Sequence, residues 1–206
     1  MSDLGSVAVA ALLVVPAGAA LILIGLPGYR IGARLNVGAA LLTLLAAVTL
    51  FGVRPEANWY LRVDDFNIYL IALNNLVSFT TSIFSAGYIA HELETGRLTP
   101  NYLRFYHAMY QALLFAMNLA FLANNIGLMW VAIELATLVT VLMVGIYRTQ
   151  AALEAAWKYF ILGSLGIALA LFGTILVYLA AQPVMGEGLP AMAWDQLLAK
   201  ADAFEP

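Results

Sequence analysis

The sequence predicts an all-α membrane protein, a polytopic bundle of about six transmembrane helices forming a single membrane domain over residues 1–206. Composition carries the first half of that reading. Apolar residues make up 64% of the chain, charged residues 10%, and the mean hydropathy is +0.91, whereas soluble domains run near 45–50% apolar and about 25% charged. A soluble globule with this composition lacks the polar side chains to cover its surface. The second observation is distribution. The apolar residues fall into runs close to the roughly 20 residues that cross a hydrocarbon core of about 30 Å, and the charges gather between them.

Taken in order, the spans are expected at 7–26, 35–53, 66–90, 102–123, 126–147 and 151–181. The first ends at Pro27-Gly28 and the second before Arg54-Pro55-Glu56. Trp59 and Tyr60 in the following polar stretch suit a membrane interface. The third span carries Asn67, Asn74, Asn75, Ser78, Thr80 and Thr81. Polar side chains inside a span face other helices, which puts this one in the bundle interior. His91 to Asn101 reads as a loop, Asn124-Asn125 as a tight break, and Arg148-Thr149-Gln150 as the turn into the sixth span. Residues 182–206 read as an extramembrane tail or loop, with at most a short amphipathic helix around Ala193 to Ala203.

Orientation follows from the basic residues. Loops after spans one, three and five carry Arg30, Arg34, Arg97, Arg104 and Arg148, joined by Lys158 if its stem snorkels. The opposite loops carry Arg54, Arg62 and Lys200 among many acids. The excess places the first set in the cytoplasm and the N-terminus outside. The opening Met-Ser-Asp-Leu-Gly-Ser lacks a basic n-region, so the first apolar run reads as a retained span rather than a cleaved signal. With no cysteine, thiolate catalysis and iron–sulfur ligation are excluded. The net charge of −3, without a basic patch, gives nucleic acid no footprint. His91 and His107 fall near membrane boundaries and lack the second pair a haem bundle needs, so both read as interfacial and no cofactor is expected.

One charge stands apart. Glu134 lies within Leu128-Met129-Trp130-Val131-Ala132-Ile133-Glu134-Leu135 of the fifth span, roughly 12 Å past the helix start at 1.5 Å per residue, close to mid-membrane. A charge there costs about 2.5–3.5 kcal/mol on insertion scales. The bland reading is a neutral acid that joins two helices by a hydrogen bond, and the favoured one is a proton or cation relay. Lys158 is open between two readings. It either pairs with Glu154 one turn earlier and snorkels to the headgroups, or points inward to tune Glu134. Gly163 and Gly166 suit close helix packing.

The block Asn124-Asn125-Ile126-Gly127-Leu128-Met129-Trp130-Val131-Ala132-Ile133-Glu134, followed by Leu142 to Tyr147 and Leu153-Glu154-Ala155-Ala156-Trp157-Lys158-Tyr159, resembles one family. It is that of the antiporter-like proton-translocating subunits shared by respiratory complex I, Mrp-type cation/proton antiporters and membrane-bound nickel–iron hydrogenases. Within it the chain looks most like the hydrogenase-4 component F branch. Leu171 to Tyr178, the Asp64-Asp65-Phe66 entry to the third span and Tyr88-Ile89-Ala90-His91-Glu92 fit the same branch.

The resemblance implies that Glu134 occupies the position of the family's intramembrane glutamate, that Lys158 matches a lysine of more variable role, and that the two form a proton relay. It implies a subunit of about fourteen helices built on inverted repeats, of which this chain would be the N-terminal part. The lysine- and proline-containing broken seventh helix of the family has no counterpart after Ala181, so the chain is expected to be a truncated or split subunit. The implied setting is a redox-driven hydrogenase-4/formate hydrogenlyase or complex I type assembly in a bacterial inner membrane, with other membrane and peripheral subunits and the lipid bilayer as partners. Catalysis by this chain alone is not expected. The alternatives are a non-conducting membrane scaffold and an Mrp-type sodium/proton antiporter component.

Overall fold

The computed structural model describes residues 2–26 and 28–203. Pro27, at the expected end of the first span, and residues 204–206 lie outside them. Six long helices follow in order: α1 Ser2–Gly25, α2 Tyr29–Thr49, α3 Asn67–Glu94, α4 Pro100–Leu122, α5 Ile126–Val144 and α6 Gln150–Met185. Each holds a stretch long and apolar enough to cross a membrane. A short distal segment comprises a 3₁₀ turn at Leu189–Met192, α7 at Trp194–Ala199, and a further turn at Ala201–Ala203.

The boundaries differ from the expected spans for local reasons. Gly28, at φ +103, makes the bend that no other residue type adopts cheaply, so α2 starts at Tyr29 rather than Leu35. At the other end α3 runs through His91 and Glu92 to Glu94 instead of stopping at Ala90, because the Glu92 side chain is buried and accepts from Arg97 across the turn. Gly96, at φ +72, reverses the chain. Pro100 then opens α4 in the first turn, where its missing N–H has no partner to lose. The expected loop from His91 to Asn101 shrinks accordingly to residues 95–99.

Helices α1 to α4 form the packed core, with α1 against α2 and α4, and α3 against α2 and α4. Helix α5 leans on α4, and α6 packs on α5 and on the Leu189–Met192 turn. Successive helices alternate in direction. One end gathers Tyr29, Ile89, Leu98, Tyr102 and Ile146 into a cluster, where Tyr88 and Tyr147 share a 3.0 Å hydroxyl contact. The other end gathers the α2–α3 connection, the α4–α5 break and the distal segment, joined by isolated bridges Leu61–Ala123 and Asn125–Ala193.

The distal segment is therefore docked rather than trailing. Ala191 and Leu197 pack with Ile126 and Ala181. Asn124 holds the junction with all four of its polar groups. Its backbone N–H donates to the Tyr60 carbonyl, and its own carbonyl accepts from Trp194 N–H. Its side-chain amide donates to Asn58 O and Asp195 Oδ1 and its side-chain oxygen accepts from Asp195 N–H. The last carbonyls of α4, which lack helical donors, are met by Arg62 N–H at Leu122 and by Asn67 Nδ2 at Phe121.

A proline in mid-span sets the sharpest demand on the core. Pro16 lies inside α1 and has no N–H to give to the carbonyl four residues back, at Leu12. In lipid that carbonyl finds no water. Asn118 of α4, fully buried, supplies the missing donor at 3.1 Å. The same side chain accepts from Asn74 Nδ2 and Asn75 Nδ2 of α3 at 3.1 and 2.8 Å. Thus the polar third span does face inward at Asn74 and Asn75, whereas Thr80 and Thr81 lie on the exposed face, with the Thr80 hydroxyl turned to its own helix at Leu76 O.

Replacing Asn118 by Leu orphans the Leu12 carbonyl and the Asn74 amide and leaves the Asn75 amide only its bond to Ile71 O, and should destabilise the bundle by about 1–3 kcal/mol. In a Pro16→Ala background the same change should cost less, because residue 16 then donates to Leu12. Reversible unfolding of the four variants in mixed detergent measures the coupling.

Candidate functional site

Helix α5 is anchored at its foot and bare of charge except at its middle. Asn125 caps it, its side chain accepting from Leu128 N–H at 3.0 Å. Glu134 falls at the ninth position of this 19-residue helix. Its side chain is half-buried, and Oε2 is buried without a hydrogen-bond partner among the described residues.

The face that carries Glu134 is the one that meets α6. Trp130, Glu134 and Thr137 follow i, i+4, i+7 spacing and share a stripe. Trp130 Nε1 donates to the Ile167 carbonyl at 2.9 Å. A Cβ added at Gly163 would come within 3.1 Å of Thr137 Cγ2, and one at Gly145 within 3.5 Å of Ala156 Cβ. The antiparallel pairs 130/167, 137/163 and 145/156 bracket Glu134 at the height of Ser164 to Gly166. Of the two glycines expected to serve close packing, Gly163 does so, while Gly166 has open space at its Cβ position. Ser164 thus lies near the height of the carboxyl, while Leu165 and Gly166 are turned to the exposed side of α6.

Lys158 stands elsewhere. Its ammonium pairs with Glu154 on α6, and the two side chains are 71% and 62% exposed. Along the α6 axis it is about 10 Å from the height of Glu134, at 1.5 Å per residue. The structure does not bring Lys158 and Glu134 into contact. Toward the Lys158 end, an apolar cleft of about 770 Å³ opens between α4, α5 and α6, lined by Phe105, Val141, Leu142, Trp157 and Phe160. Arg148 lies at its rim with its guanidinium 4.7 Å from the Tyr102 ring centroid.

The sequence reading missed a second polar group. His107 was expected at the interface, yet it is 1% exposed, packed inside the bundle on α4. The helices around it close over the imidazole although it lies only one turn inside the span. Gln111, one turn further on, donates from Nε2 to Asn36 O and Oδ1 of α2 at 3.0 and 2.8 Å. The i, i+4 spacing of His107 and Gln111, with Asn36 alone in an apolar run, is the signal that could have revealed it. His91, by contrast, is exposed. No group of three or more metal-binding side chains occurs among the described residues.

Residues 123–194, which contain the Glu134 stripe and its α6 counterpart, match the family model described as NADH:quinone oxidoreductase/Mrp antiporter, TM. With six spanning helices and that membrane domain, the chain is a multi-pass membrane protein belonging to the antiporter-like subunit superfamily of the hydrogenase-4/complex I type. Its likeness to one branch is strong: it is 55% identical, over 93% of its length, to the hydrogenase-4 component F homolog of Methylacidiphilum infernorum. It is 29% identical over 74% of its length to NADH-quinone oxidoreductase subunit N 2 of Thermodesulfovibrio yellowstonii. A shorter stretch, 31% of the chain, is 43% identical to F(420)H(2) dehydrogenase subunit N of Methanosarcina mazei. The chain spans 40%, 32% and 13% of the lengths of these three proteins.

The two glycines of α6 should respond differently to a larger side chain. Gly163→Val collides with Thr137 and should lower the melting temperature of the detergent-solubilised protein by several degrees. Gly166→Val enters open space and should leave it nearly unchanged.

Proposed function

We propose that this bundle is a portion of a proton-translocating membrane subunit in a redox-driven complex, and that Glu134 is its intramembrane proton-relay residue. The single observation that carries this is the placement of one carboxyl oxygen, Oε2, in a buried and unpartnered position at mid-span, on the α5 face whose Trp130 and Thr137 meet α6. A carboxylate kept there must be neutral, hydrated or matched by a charge. Each of those states is reached by moving a proton, water or a cation, which is what a relay does. The family membership and the names of the relatives, a hydrogenase component and two dehydrogenase subunits, support the redox-driven setting.

In this reading Glu134 carries its proton while its surroundings are dry and passes it on when water or a neighbouring positive charge enters. Lys158 acts at a distance. While it is held by Glu154 its charge is largely cancelled, and opening that i, i+4 pair frees a positive charge on the helix that faces Glu134. Electron transfer belongs to partner subunits, and the bundle sits in the plasma membrane of a prokaryote. The end of the bundle bearing Arg30, Arg34, Arg97, Arg104 and Arg148 faces the cytoplasm and the N-terminus lies outside, by the excess of five arginines over Arg54, Arg62 and Lys200.

The description of the matched family also includes Mrp antiporters, which makes sodium the alternative ion. In vesicles containing the whole complex, Glu134→Gln should reduce the number of protons taken up per electron while electron transfer continues. An unchanged ratio defeats the relay. Repeating the uptake with and without sodium tells proton-only transport from sodium/proton exchange.

A further inference from the structure

The seam between α2 and α4 contains a cluster of buried, unpartnered polar atoms that the Glu134 relay does not use. Gly32 and Asn36 on α2 lie opposite His107 and Gln111 on α4. A Cβ at Gly32 would be 3.8 Å from His107 Cδ2, and the Gln111 amide bonds Asn36 one turn along. All three polar side chains are at most 1% exposed. Four of their polar atoms are buried with no partner: Asn36 Nδ2, Gln111 Oε1, and both ring nitrogens of His107. A buried unpaired donor or acceptor costs about 1–3 kcal/mol, so this concentration within one turn of two helices is not explained by packing.

Nor do neighbouring charges explain it. Helix α1 presents Leu23 to this region, and the Tyr106 ring meets the imidazole edge-on at 5.4 Å. Arg30 and Arg34 sit at exposed positions of α2, and Arg104 is half-buried on α4. Glu92 of α3 is engaged with Arg97.

We propose that the α2–α4 seam is a site for internal water, bound by His107, Gln111 and Asn36, and that through this water His107 exchanges its ring proton inside the membrane domain. Water fits the set because it both gives and accepts. It accepts from Asn36 Nδ2, donates to Gln111 Oε1, and meets one protonated and one bare nitrogen of a neutral imidazole. In the exchange, the protonated nitrogen gives its proton to one water, that water passes a proton along a hydrogen bond to a second, and the second gives one to the other nitrogen, so both waters end neutral. The N–H bond lost equals the N–H bond gained, the ring stays neutral, and its tautomer reverses. The site stands independently of Glu134, which lies on another helix.

The chain has only two histidines, His91 and His107, which makes the test direct. The full chain, ¹⁵N-labelled at histidine and carrying His91→Gln, is reconstituted in phospholipid vesicles. Transfer of water-proton magnetisation to the imidazole nitrogens is recorded by solid-state NMR. Both nitrogens should receive it, and the ring N–H should exchange for deuterium in heavy water while the α4 backbone amides around it remain protonated. In Gln111→Leu the transfer should be lost or strongly reduced. Ring nitrogens that receive nothing from water, or a ring N–H that persists in heavy water as long as those amides, would overturn the proposal whether or not the Gln111 variant folds.

Discussion

The architecture depends on a rule that lipid enforces: a backbone group without its helical partner must be met by another part of the protein. Pro16 creates such a group at Leu12, and Asn118 meets it from α4. Because Asn118 also binds Asn74 and Asn75, a defect in one helix fixes the relative height of α1, α3 and α4. Apolar contact alone sets no register in a membrane, since lipid tails are as greasy as leucine. Hydrogen bonds of this kind therefore do the work of alignment here, and the alanines and leucines around them fill space.

That core leaves α5 and α6 in a different condition. Helix α6 shows most of its length to its surroundings, with Leu162, Leu165, Leu169 and Phe172 outward. Its contacts with α5 include Trp130 reaching Ile167, the close approach at Gly163, and Ala156 near Gly145. Glu134 sits within that seam, with its Oε2 buried and unpartnered among the described residues. The same seam falls inside the stretch that matches the antiporter family.

Much of this was legible in the sequence. Six apolar runs gave six helices, because length and hydropathy are read one span at a time and need no knowledge of neighbours. Glu134 was visible for the same reason, as a charge in an apolar run. What escaped depends on three-dimensional company. His107 looked interfacial because it lies near the start of its span, and only the closing of neighbouring helices over it made it a core residue. Gly163 and Gly166 were indistinguishable as letters, yet one touches Thr137 and the other touches nothing. The role of Asn118 follows from Pro16, more than a hundred positions away, and no local pattern links them. The helix ends drifted where Gly28 and Glu92 act, since a bend or a buried carboxylate overrides composition.

Asn124 has a mechanical consequence. By committing every polar group to Asn58, Tyr60, Trp194 and Asp195, it clamps the foot of α5 to two other stretches of chain. The opposite corner is held as well, by Ile146 packed with Ile89 and Leu98, by the Tyr88–Tyr147 hydroxyl contact and by Arg148 on the Tyr102 ring. The helix is therefore a strut pinned at both feet, with its one carboxyl at the centre. A strut held in this way yields by bowing rather than swinging, and bowing displaces the middle most.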